Sequence, residues 1–572
     1  MRPPPRCLLC ICDSQDSGAA LFRNGRLVAA VNEERLNRIK LWGGFPALSV
    51  REVLRLGQAR PEEVDEVVCG TRVTPNVLAR VFRDRHQQWR RASGQFGTLL
   101  DAFIGWQVAG RTLRWPLWIE EQVARRVLEG ELRALGVKAP LRMVDHHLAH
   151  AAGAWATSPF DRALVVTVDG LGDGLSVTVS VGERGRFLRR VHQESGFSDL
   201  TLYYSRLTEF LGFRPIRDEG KVNALAACAS PEATLPIART LLRMRDGRFG
   251  IRNPLFSQGP DRPPWSALRT FSREEVAAGF QDHLETTMRD YLRHWLARTG
   301  CRHVALAGGL FANVKLNQRI AAMPEVEEVW VYPHMGDGGL AVGGGFARLR
   351  SDPTLVQDLF FGPGCDPDPV EQAIRASGLP ARRLADPGLE MAAHLARGKV
   401  IARCAGRMEF GPRALGNRSI LVQATDPDTI RWLNTRLRRS PFMPFAPAVH
   451  EDLAPACFHG LPKALHAARF MTVSLDATPE FQRLCPGAVH VDGTARPQVV
   501  RDSEHPVYGR ALREYHRLTG LPAVINTSFN MHEEPIVATP EDALEAFRQA
   551  RLDALFLEDW LVEPPTGGWP GD

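Results

Sequence analysis

One stretch of sequence stands out in this chain: Gly406-Arg-Met-Glu-Phe-Gly-Pro-Arg-Ala-Leu-Gly-Asn-Arg-Ser419. It follows an apolar run, Lys399–Cys404, and is therefore predicted to be the turn after a strand. Glycines let the backbone approach a ligand, and two fixed guanidinium groups can clamp a phosphate or a carboxylate. The stretch thus predicts an anion site, against the alternative of a glycine- and proline-rich turn that carries surface arginines. Its candidate ligand residues are Glu409, Arg413, Arg418 and Ser419.

The composition of the chain is that of a soluble globular protein. Its 572 residues are 44% hydrophobic and 24% charged, and the length predicts two to four domains. A net charge of +6 is mild over this length and favours anionic small ligands no less than nucleic acid. The ten cysteines contain no paired zinc-ribbon spacing, and no window has the length of a signal or membrane segment. We therefore expect a reduced cytoplasmic protein with no membrane partner.

The N-terminus is predicted to be a β-meander. Apolar runs at Leu8–Cys12, Ala19–Phe22 and Leu27–Val31 are joined by a polar turn and by an Asn-Gly hairpin. The polar turn, Asp13-Ser-Gln-Asp16-Ser-Gly18, occupies the position at which actin-like ATPase folds carry a phosphate-binding loop. An ordinary hairpin with a polar tip is the alternative interpretation.

A histidine pair predicts a metal site. His146 and His150 are four residues apart, so on a helix they share one face and can reach one ion. His147 points elsewhere on such a helix. The missing ligand must come from a distant loop, and a carboxylate suits a divalent ion with open positions. Asp337, in the glycine-rich turn Gly336–Gly339, is our candidate for that third ligand.

Glycine-rich turns elsewhere in the first half predict nucleotide contacts. Asp169-Gly-Leu-Gly-Asp173-Gly lies between two apolar strands and is a second candidate phosphate or metal loop. Lys221 lies near the start of a predicted helix, where an anion is stabilised. Gly308-Gly309 separates a strand from a helix that contains Asn313, as expected of an adenosine-binding turn.

We predict a first domain over residues 1–350, a connector over 351–390 and a second domain over 391–566. An arginine- and tryptophan-rich helical insertion is expected near residues 76–133. It could bind nucleic acid, bind an acidic aromatic molecule, or pack on the main sheet or on a second subunit. The second domain carries further candidate residues for binding phosphates: Arg439, Arg496, Asn526, Ser528 and Asn530.

Taken together, these motifs closely resemble one family over nearly the whole chain. They resemble the O-carbamoyltransferases of antibiotic tailoring and nodulation-factor biosynthesis, a group that includes the tobramycin and cephem carbamoyltransferases. The motifs that carry the resemblance in the first half are the first hairpin with Asn-Glu-Glu-Arg35, Asp145-His-His-Leu-Ala-His150, Asp169–Gly174, Glu219-Gly-Lys221, Gly308-Gly309 with Asn313, and Gly336–Gly339. Those in the second half are Glu409–Ser419, Pro444-Phe-Ala-Pro447, Gly493-Thr-Ala-Arg496 and Asn526–Asn530.

The resemblance implies the fold and the chemistry. The first domain would be an α/β actin-like ATPase domain similar to the threonylcarbamoyl-transfer protein, and the second an α+β domain similar to threonylcarbamoyl-adenylate synthase. The second would make carbamoyl-adenylate from carbamoyl phosphate and ATP with Mg. The first would transfer the carbamoyl group to a hydroxyl of a small molecule beside a divalent metal, often iron. Residues implied to bind carbamoyl-adenylate in the first domain are Asp173, Lys221, Gly308, Gly309 and Asn313.

Several positions depart from the family pattern. Gln15 and Leu41 stand where the family carries histidines, so the implied catalytic residues are Asp13, Asp16, Lys40 and Asp169. The aspartates among them are the candidates for the base that deprotonates the acceptor. Ser440, Met443 and His532 also depart, near the implied carbamoyl-phosphate site.

Two alternative functions share one or both domain types: a hydrogenase-maturation type of carbamoylating factor, and a tRNA-binding protein of the threonylcarbamoyl-adenosine pathway. The first normally carries paired Cys-x-x-Cys zinc fingers, which this sequence lacks. The second would use the insertion to bind RNA, although nucleic acid is the less favoured partner. A homodimer is a further candidate assembly.

Overall fold

The computed structural model describes residues 5–75, 77–81, 110, 117–251, 263–437 and 445–569. It divides into two compact units, both of mixed α/β structure, as the fold prediction required. The first comprises Met1–Glu33 and Leu41–Val356, and the second comprises Glu34–Lys40 and Gln357–Asp572. Most of the predicted insertion lies outside the described residues, which include only its flanking helices, Val77–Val81 and Trp118–Ala134.

The first unit begins with a five-stranded sheet in the order β3-β2-β1-β4-β5. The apolar runs of the N-terminal meander form its first three strands, and Asn24-Gly25 makes the predicted hairpin with both residues at positive φ. β1 is antiparallel to β2 and parallel to β4, which is parallel to β5. The strand bounds are β1 Cys7–Cys12, β2 Gly18–Arg23, β3 Arg26–Asn32, β4 Glu66–Cys69 and β5 Leu141–Met143.

A second five-stranded sheet in the same unit repeats this topology. β6 is antiparallel to β7 and parallel to β11, which is parallel to β12, and the sheet order is β12-β11-β6-β7-β8. The sequence shows no internal repeat, so the duplication is visible only in the strand pairing. The bounds are β6 Arg162–Gly172, β7 Leu175–Glu183, β8 Phe187–Ser195, β11 His303–Ala307 and β12 Glu328–Val331, with a separate hairpin of β9 Leu242–Arg245 and β10 Arg248–Ile251.

Helices of the first unit pack on these sheets. Gly343 of the helix Leu340–Leu349 lies so close to the helix His146–Ala156 that a Cβ there would be 2.2 Å from the Ala149 carbonyl oxygen. This contact fixes the helix that carries the histidine pair. The other described α-helices of this unit are Ala47–Leu56, Leu200–Phe210, Glu219–Ala226, Leu235–Leu241, Arg273–Thr299 and Val314–Ala321, and the short helix Glu33–Asn37 crosses the boundary between the units.

The second unit is built on an eight-stranded mixed sheet in the order β13-β23-β22-β14-β15-β21-β16-β20. A three-stranded sheet, β17-β18-β19, accompanies it. The bounds are β13 Ala381–Arg383, β14 Ile401–Cys404, β15 Arg418–Gln423, β16 Ala446–His450, β17 Phe458–His459, β18 Leu475–Ala477, β19 Thr494–Ala495, β20 Gln498–Val500, β21 Ala523–Ser528, β22 Ala554–Leu557 and β23 Trp560–Val562. Its α-helices are Pro367–Ser377, Pro387–Ala396, Pro427–Arg436, Ala454–Cys457, Leu465–Ala468, Pro479–Leu484, Pro506–Thr519 and Pro540–Ala550.

The predicted connector, residues 351–390, has more structure than its proline and glycine residues indicate. β13 pairs with β23, so this segment supplies an edge strand of the eight-stranded sheet. The helix Pro387–Ala396 packs its buried face, which includes Met391 and Leu395, into the core of the second unit. The prolines mark helix starts here, because a proline in the first turn needs no backbone donor. Among the described helices, we find none with the length and apolarity to cross a membrane.

Candidate functional site

Four side chains of the first unit form a cluster with the chemistry of a metal site. His146, His150, Asp169 and Asp337 place one ligand atom each within 4.8 Å of one another. Nε2 of His150 lies 2.6 Å from Oδ2 of Asp169, and Nε2 of His146 lies 3.3 Å from the same oxygen. Both Nε2 atoms are 3.6 Å from Oδ1 of Asp337. The structure therefore brings the three predicted metal ligands together and adds Asp169, which the sequence placed in a candidate phosphate or metal loop and among the catalytic candidates.

Local structure aims the two histidines at the same point. Asp145 caps the helix His146–Ala156 by accepting from the Leu148 N–H at 3.0 Å, so the first turn starts at His146. Gly172 allows the close approach of β6, because a Cβ at that position would lie 2.2 Å from Cδ2 of His146. His147 faces away and bonds through Nδ1 to the Thr167 hydroxyl at 2.8 Å, as expected from its helix position.

In each carboxylate of the cluster, one oxygen accepts hydrogen bonds from neighbouring groups and the other faces the two histidines. Oδ1 of Asp169 accepts from the backbone N–H groups of Gly170 and Gly309, at 2.8 and 3.2 Å. Oδ2 of Asp337 accepts from the Ser14 hydroxyl at 2.9 Å. Such outer contacts fix the orientation of metal-binding groups. Ser14 was missed as a site residue, although it belongs to the polar turn that the sequence singled out.

The electrostatics of the cluster favour a cation. Burial lowers the pKa of His146, but the nearby carboxylates of Asp337 and Asp169 outweigh it and raise the pKa to about 9. Burial raises the pKa of Asp169, but His150 and His146 hold it well below its usual range. Two imidazole nitrogens and two carboxylate oxygens form a donor set that fits iron or another divalent transition metal.

The other catalytic candidates have different surroundings. Asp13 makes a bidentate pair with the buried Arg80, whose Nε and Nη2 donate to its two oxygens at 2.7 and 2.9 Å. This pairing makes Asp13 a poor general base, because protonation would break a buried ion pair. Asp16 has φ +58°, and its Oδ2 lies 4.0 Å from Nε2 of His334. Lys40 is exposed and belongs to the second unit.

The Asp173 carboxylate accepts hydrogen bonds from backbone N–H groups in this structure. It accepts from the N–H groups of Arg72, Val73 and Thr74 at 2.8–3.2 Å, and from the His146 N–H at 2.9 Å. It therefore ties the loop before the insertion to the first turn of the histidine helix. The nucleotide contact predicted for Asp173 stays a prediction, and these bonds give its carboxylate a role in positioning the backbone.

The remaining candidates for nucleotide binding in the first unit are the Gly308-Gly309 turn, Asn313 and Lys221. Gly308 has φ +103°, and a Cβ there would be 2.2 Å from the Val168 carbonyl oxygen, so the Gly-Gly turn packs against the end of β6. Asn313 caps its helix and accepts from Asn223 at 2.7 Å. Lys221 forms an ion pair of 2.8 Å with Asp218.

In the second unit, the turn between β14 and β15 is shaped by its own side chains. Oε1 of the buried Glu409 accepts from the N–H groups of Leu415, Asn417 and Arg418, at 2.7–3.2 Å. The Ser419 hydroxyl accepts from the Gly416 N–H at 3.0 Å. Both residues were predicted as ligands, and in this structure they hold the backbone of the turn.

Arg418 is fully buried and also organises this turn. Its Nη1 donates to the carbonyls of Ala405, Gly406 and Asn417 at 3.0–3.1 Å, and its Nη2 donates to Pro363 at 3.3 Å. Arg403, which the sequence reading passed over, donates to Gly416 and Asn417 from the neighbouring strand. A buried arginine that satisfies many carbonyls gives the turn a fixed shape.

Arg413 differs from these arginines. Its Nε is buried and has no hydrogen-bond partner among the described residues. Burial lowers the pKa of Arg413 to about 10. A half-buried guanidinium whose Nε has no partner in the described part of the chain is suited to a ligand anion.

Two asparagines near the turn also have buried oxygens without partners in the described part of the chain. Nδ2 of Asn526 donates to the Ala414 carbonyl and to Gln498, at 3.2 and 2.7 Å, while its Oδ1 has no partner. Nδ2 of Asn530 donates to Met531 and Glu534, and its Oδ1 is again without one. Ser528 lies directly opposite Ser419 in the pairing of β21 with β15. Arg496 is half-buried, and Arg439, with Ser440 and Met443, lies outside the described residues.

Comparison with known proteins identifies both halves. A family model described as the carbamoyltransferase N-terminus matches residues 9–256 and 260–346, and one described as the carbamoyltransferase C-terminus matches residues 392–564. Nodulation protein NolNO of Sinorhizobium fredii is 30% identical over 568 residues, which cover 96% of this chain and 79% of the relative. Nodulation protein U of the same organism is 35% identical over 456 residues, or 74% of this chain and 78% of the relative.

Two further similarities say less about function. A protein of Methanocaldococcus jannaschii named only as uncharacterized is 34% identical over 482 residues, covering 78% of this chain and 77% of the relative. Full-length HypF in its phosphate- and nucleotide-bound form is similar at 12% identity with a TM-score of 0.32, covering 60% of this chain and 46% of that chain. A structural similarity at that level carries no argument.

Proposed function

This chain belongs to the carbamoyltransferase family and is a carbamoyltransferase, and on that premise we propose that it is an ATP-dependent O-carbamoyltransferase. In this proposal the second unit converts carbamoyl phosphate, ATP and water to carbamoyl-adenylate, pyrophosphate and phosphate. The first unit then transfers the carbamoyl group to a hydroxyl of a small natural product and releases AMP.

The observation that carries the proposal is Arg413. Arg413 is half-buried, its buried Nε has no hydrogen-bond partner among the described residues, and both substrates of the first step are phosphates that could pair with it. Carbamoyl phosphate also carries an amide NH₂ group, which requires hydrogen-bond acceptors. The buried Oδ1 atoms of Asn526 and Asn530 supply such acceptors. In this proposal Arg413 binds the phosphate of carbamoyl phosphate, and the two asparagine oxygens bind its NH₂ group.

The residues around the turn then act by holding it. Glu409, Arg418 and Ser419 fix the backbone between β14 and β15, so Arg413 is presented without reorganisation when the substrate binds. Arg439, Arg496 and Ser528 complete the proposed phosphate site, with ATP bound as its Mg complex. Making an unstable adenylate and consuming it within one chain limits its hydrolysis.

In the first unit, His146, His150, Asp169 and Asp337 are the proposed ligands of a divalent metal, for which iron is our candidate. When bound, such an ion would polarise the phosphate of the adenylate and so favour the departure of AMP. Lys221, Gly308, Gly309 and Asn313 are proposed to contact the nucleotide. Asp16, beside His334, is our candidate for the base that deprotonates the acceptor hydroxyl.

The test of this function requires no acceptor. The protein is incubated with ATP, Mg²⁺ and carbamoyl phosphate labelled in its carbamoyl carbon, and labelled carbamoyl-adenylate and pyrophosphate are measured. We expect Arg413→Ala to lower their formation by roughly 10²–10³-fold, because a preorganised charged contact to the reacting phosphate is lost. Its melting temperature should stay at the wild-type value or rise, because Arg413 has no described ion pair to lose.

Arg517→Ala is the matched control. Arg517 lies on the exposed face of the helix Pro506–Thr519 and forms its ion pair with Glu514. The substitution Arg517→Ala removes the same positive charge from the second unit and should leave adenylate formation unchanged. Wild-type rates of adenylate formation by Arg413→Ala would contradict the proposal.

A further inference from the structure

Two thiols of the second unit lie beside the turn that carries Arg413. Sγ of Cys365 is 3.8 Å from Sγ of Cys404. Nη2 of Arg418 donates to Sγ of Cys365 at 3.6 Å. Cys404 ends β14 and is fully buried, whereas Cys365 is half-buried in an irregular segment before the helix Pro367–Ser377. Neither thiol has a part in the chemistry proposed above.

The two thiols have different reactivity. The hydrogen bond from Cys404 and the charge of Arg418 lower the pKa of Cys365 against the effect of burial. The same contact and burial raise the pKa of Cys404 well above its ordinary value. Cys365 is therefore the better nucleophile and the more accessible thiol, and Cys404 is a protonated thiol placed to react with it.

We propose that Cys365 and Cys404 form a redox-modification site at which a peroxide joins the two sulfurs in a disulfide. The Cys365 thiolate attacks one peroxide oxygen, the O–O bond breaks, and the products are a sulfenic acid and hydroxide, which takes up a proton to become water. The Cys404 sulfur then attacks the sulfenic sulfur and the S–O bond breaks. The Cys404 proton leaves with that oxygen as the second water, so two thiols and one peroxide give one disulfide and two waters.

The geometry demands only a local movement. A disulfide requires an S–S distance of about 2.05 Å, so the sulfurs must approach by roughly 1.8 Å. Cys365 can supply this movement, because its segment is outside helix and strand. The half-buried position of Cys365 gives the peroxide access, while Cys404 is fully buried beside it.

The disulfide would change the surroundings of Arg418. It converts the sulfur that faces a buried guanidinium into a disulfide sulfur, which cannot carry a charge and is a weaker acceptor for the hydrogen bond from Arg418. The same guanidinium holds the carbonyls of Ala405 and Gly406 at the start of the turn that presents Arg413. Oxidation should therefore loosen this turn and lower donor activation, a consequence that rests on the proposed function.

The modification itself is tested on the full-length protein with hydrogen peroxide as the probe. After treatment, free thiols are counted in denaturant, and a proteolytic digest is examined by mass spectrometry. We expect two of the ten thiols to be lost and one linked pair of peptides, containing Cys365 and Cys404. Cys228→Ser, which removes an exposed thiol of the first unit, should give the same linked pair. The absence of this pair, or linkage of either cysteine to another, would overturn the proposal.

The functional consequence is measured as the ratio of pyrophosphate release before and after peroxide. We expect a fall of about tenfold in the wild-type protein, reversed by dithiothreitol, since a lost charge-assisted bond has roughly that effect. Cys365→Ser should give a ratio near one, and Cys228→Ser should behave as the wild type. A linked protein that releases pyrophosphate at the untreated rate would refute the regulatory effect. If even untreated protein releases none, the proposed function fails, and the peptide map still decides the modification site.

Discussion

At the residue scale, the metal cluster depends on how each carboxylate divides its two oxygens. Asp169 gives one oxygen to backbone N–H groups and the other to the histidines, and Asp337 does the same with Ser14. The ligand atoms are thereby oriented before any ion binds, which reduces the reorganisation that binding requires. Asp13, by contrast, uses both oxygens on Arg80 and has none to present.

This arrangement predicts the effect of removing one ligand. His150→Ala should weaken Fe²⁺ binding by more than roughly tenfold, because even the loss of an outer-shell partner reduces metal affinity by about 10–100-fold. Metal content after anaerobic loading and gel filtration measures the effect. His303→Ala, at a half-exposed histidine of the same unit, should retain the wild-type content. Equal iron in both variants would argue against the cluster as the metal site.

His505 gives the second unit a titration that links stability to pH. Burial and the neighbouring Arg403 hold the pKa of His505 well below its ordinary value of about 6.5. The folded state therefore keeps this histidine neutral, while the unfolded chain takes up a proton below pH 6.5. The stability that His505 contributes is complete above that pH and is lost as the pH falls towards its folded pKa, by about 1.4 kcal/mol per unit.

Replacing His505 should flatten this dependence. We expect urea unfolding of His505→Gln to lose less stability than the wild type between pH 7.5 and 5. The exposed residue His459 provides the control, and His459→Gln should keep the wild-type profile. Parallel profiles for His505→Gln and the wild type would show that His505 does not carry the effect.

At the scale of elements, the first unit contains two equivalent polar turns, one in each five-stranded sheet. The turn between β1 and β2 carries Asp13 and Ser14, and the turn between β6 and β7 carries Asp173, with Asp169 just before it near the end of β6. Because the two sheets share one topology, these turns occupy equivalent positions. The β6–β7 region supplies Asp169 to the candidate metal cluster, and the β1–β2 turn supplies Ser14, which hydrogen-bonds to Asp337. Residues far apart in sequence therefore contribute to one site.

The segment Glu34–Lys40 is an element of the second unit although it lies early in the chain. Nη2 of Arg35 donates to the Gly411 carbonyl at 3.0 Å, two residues before Arg413. Arg38 donates to the carbonyls of Ile536 and Pro535, at 2.6 and 2.9 Å. The Asn-Glu-Glu-Arg motif therefore supports the turn that is proposed to bind an anion.

Removing this support should slow donor activation. Arg35 also pairs with the buried Glu34, so the pair is removed together in Glu34→Gln/Arg35→Ala to avoid an unpaired buried charge. We expect pyrophosphate release to fall about tenfold, which corresponds to one lost hydrogen bond of roughly 1.4 kcal/mol. Arg23→Ala, at an exposed ion pair of the first unit, is the control. A folded double variant with undiminished release would rule out this role.

At the scale of the whole molecule, the two proposed half-reactions belong to different units. The candidate metal cluster is formed entirely by residues of the first unit, and the proposed anion-binding turn is formed entirely by residues of the second. Separate sets of side chains predict that each function can be lost alone.

Reciprocal variants test this separation. His146→Ala/His150→Ala should lose iron but release pyrophosphate from ATP and carbamoyl phosphate at the wild-type rate. Arg413→Ala should lose pyrophosphate release but keep iron. Metal content and pyrophosphate are measured on the same preparations, with melting temperature as the check on folding. Simultaneous loss of both functions in either folded variant would contradict the separation.

The sequence by itself determined the two-domain α/β fold class, the N-terminal meander, the family and the histidine pair, because these depend on local spacing. Alternating and apolar runs specify strands, Asn-Gly specifies a hairpin, and a spacing of four aligns two side chains on a helix. The strand predicted before Gly406 is β14.

Only the tertiary structure decided which groups are engaged and which remain for a ligand. Asp169 joined the metal cluster, Asp173, Glu409 and Arg418 turned to the backbone, and Arg413 was left without a described anion. The physical reason is that a side chain's role depends on which polar groups the fold brings within hydrogen-bond distance. Residues hundreds of positions apart, such as Ser14 and Asp337, meet only because strand pairing and helix packing bring them there.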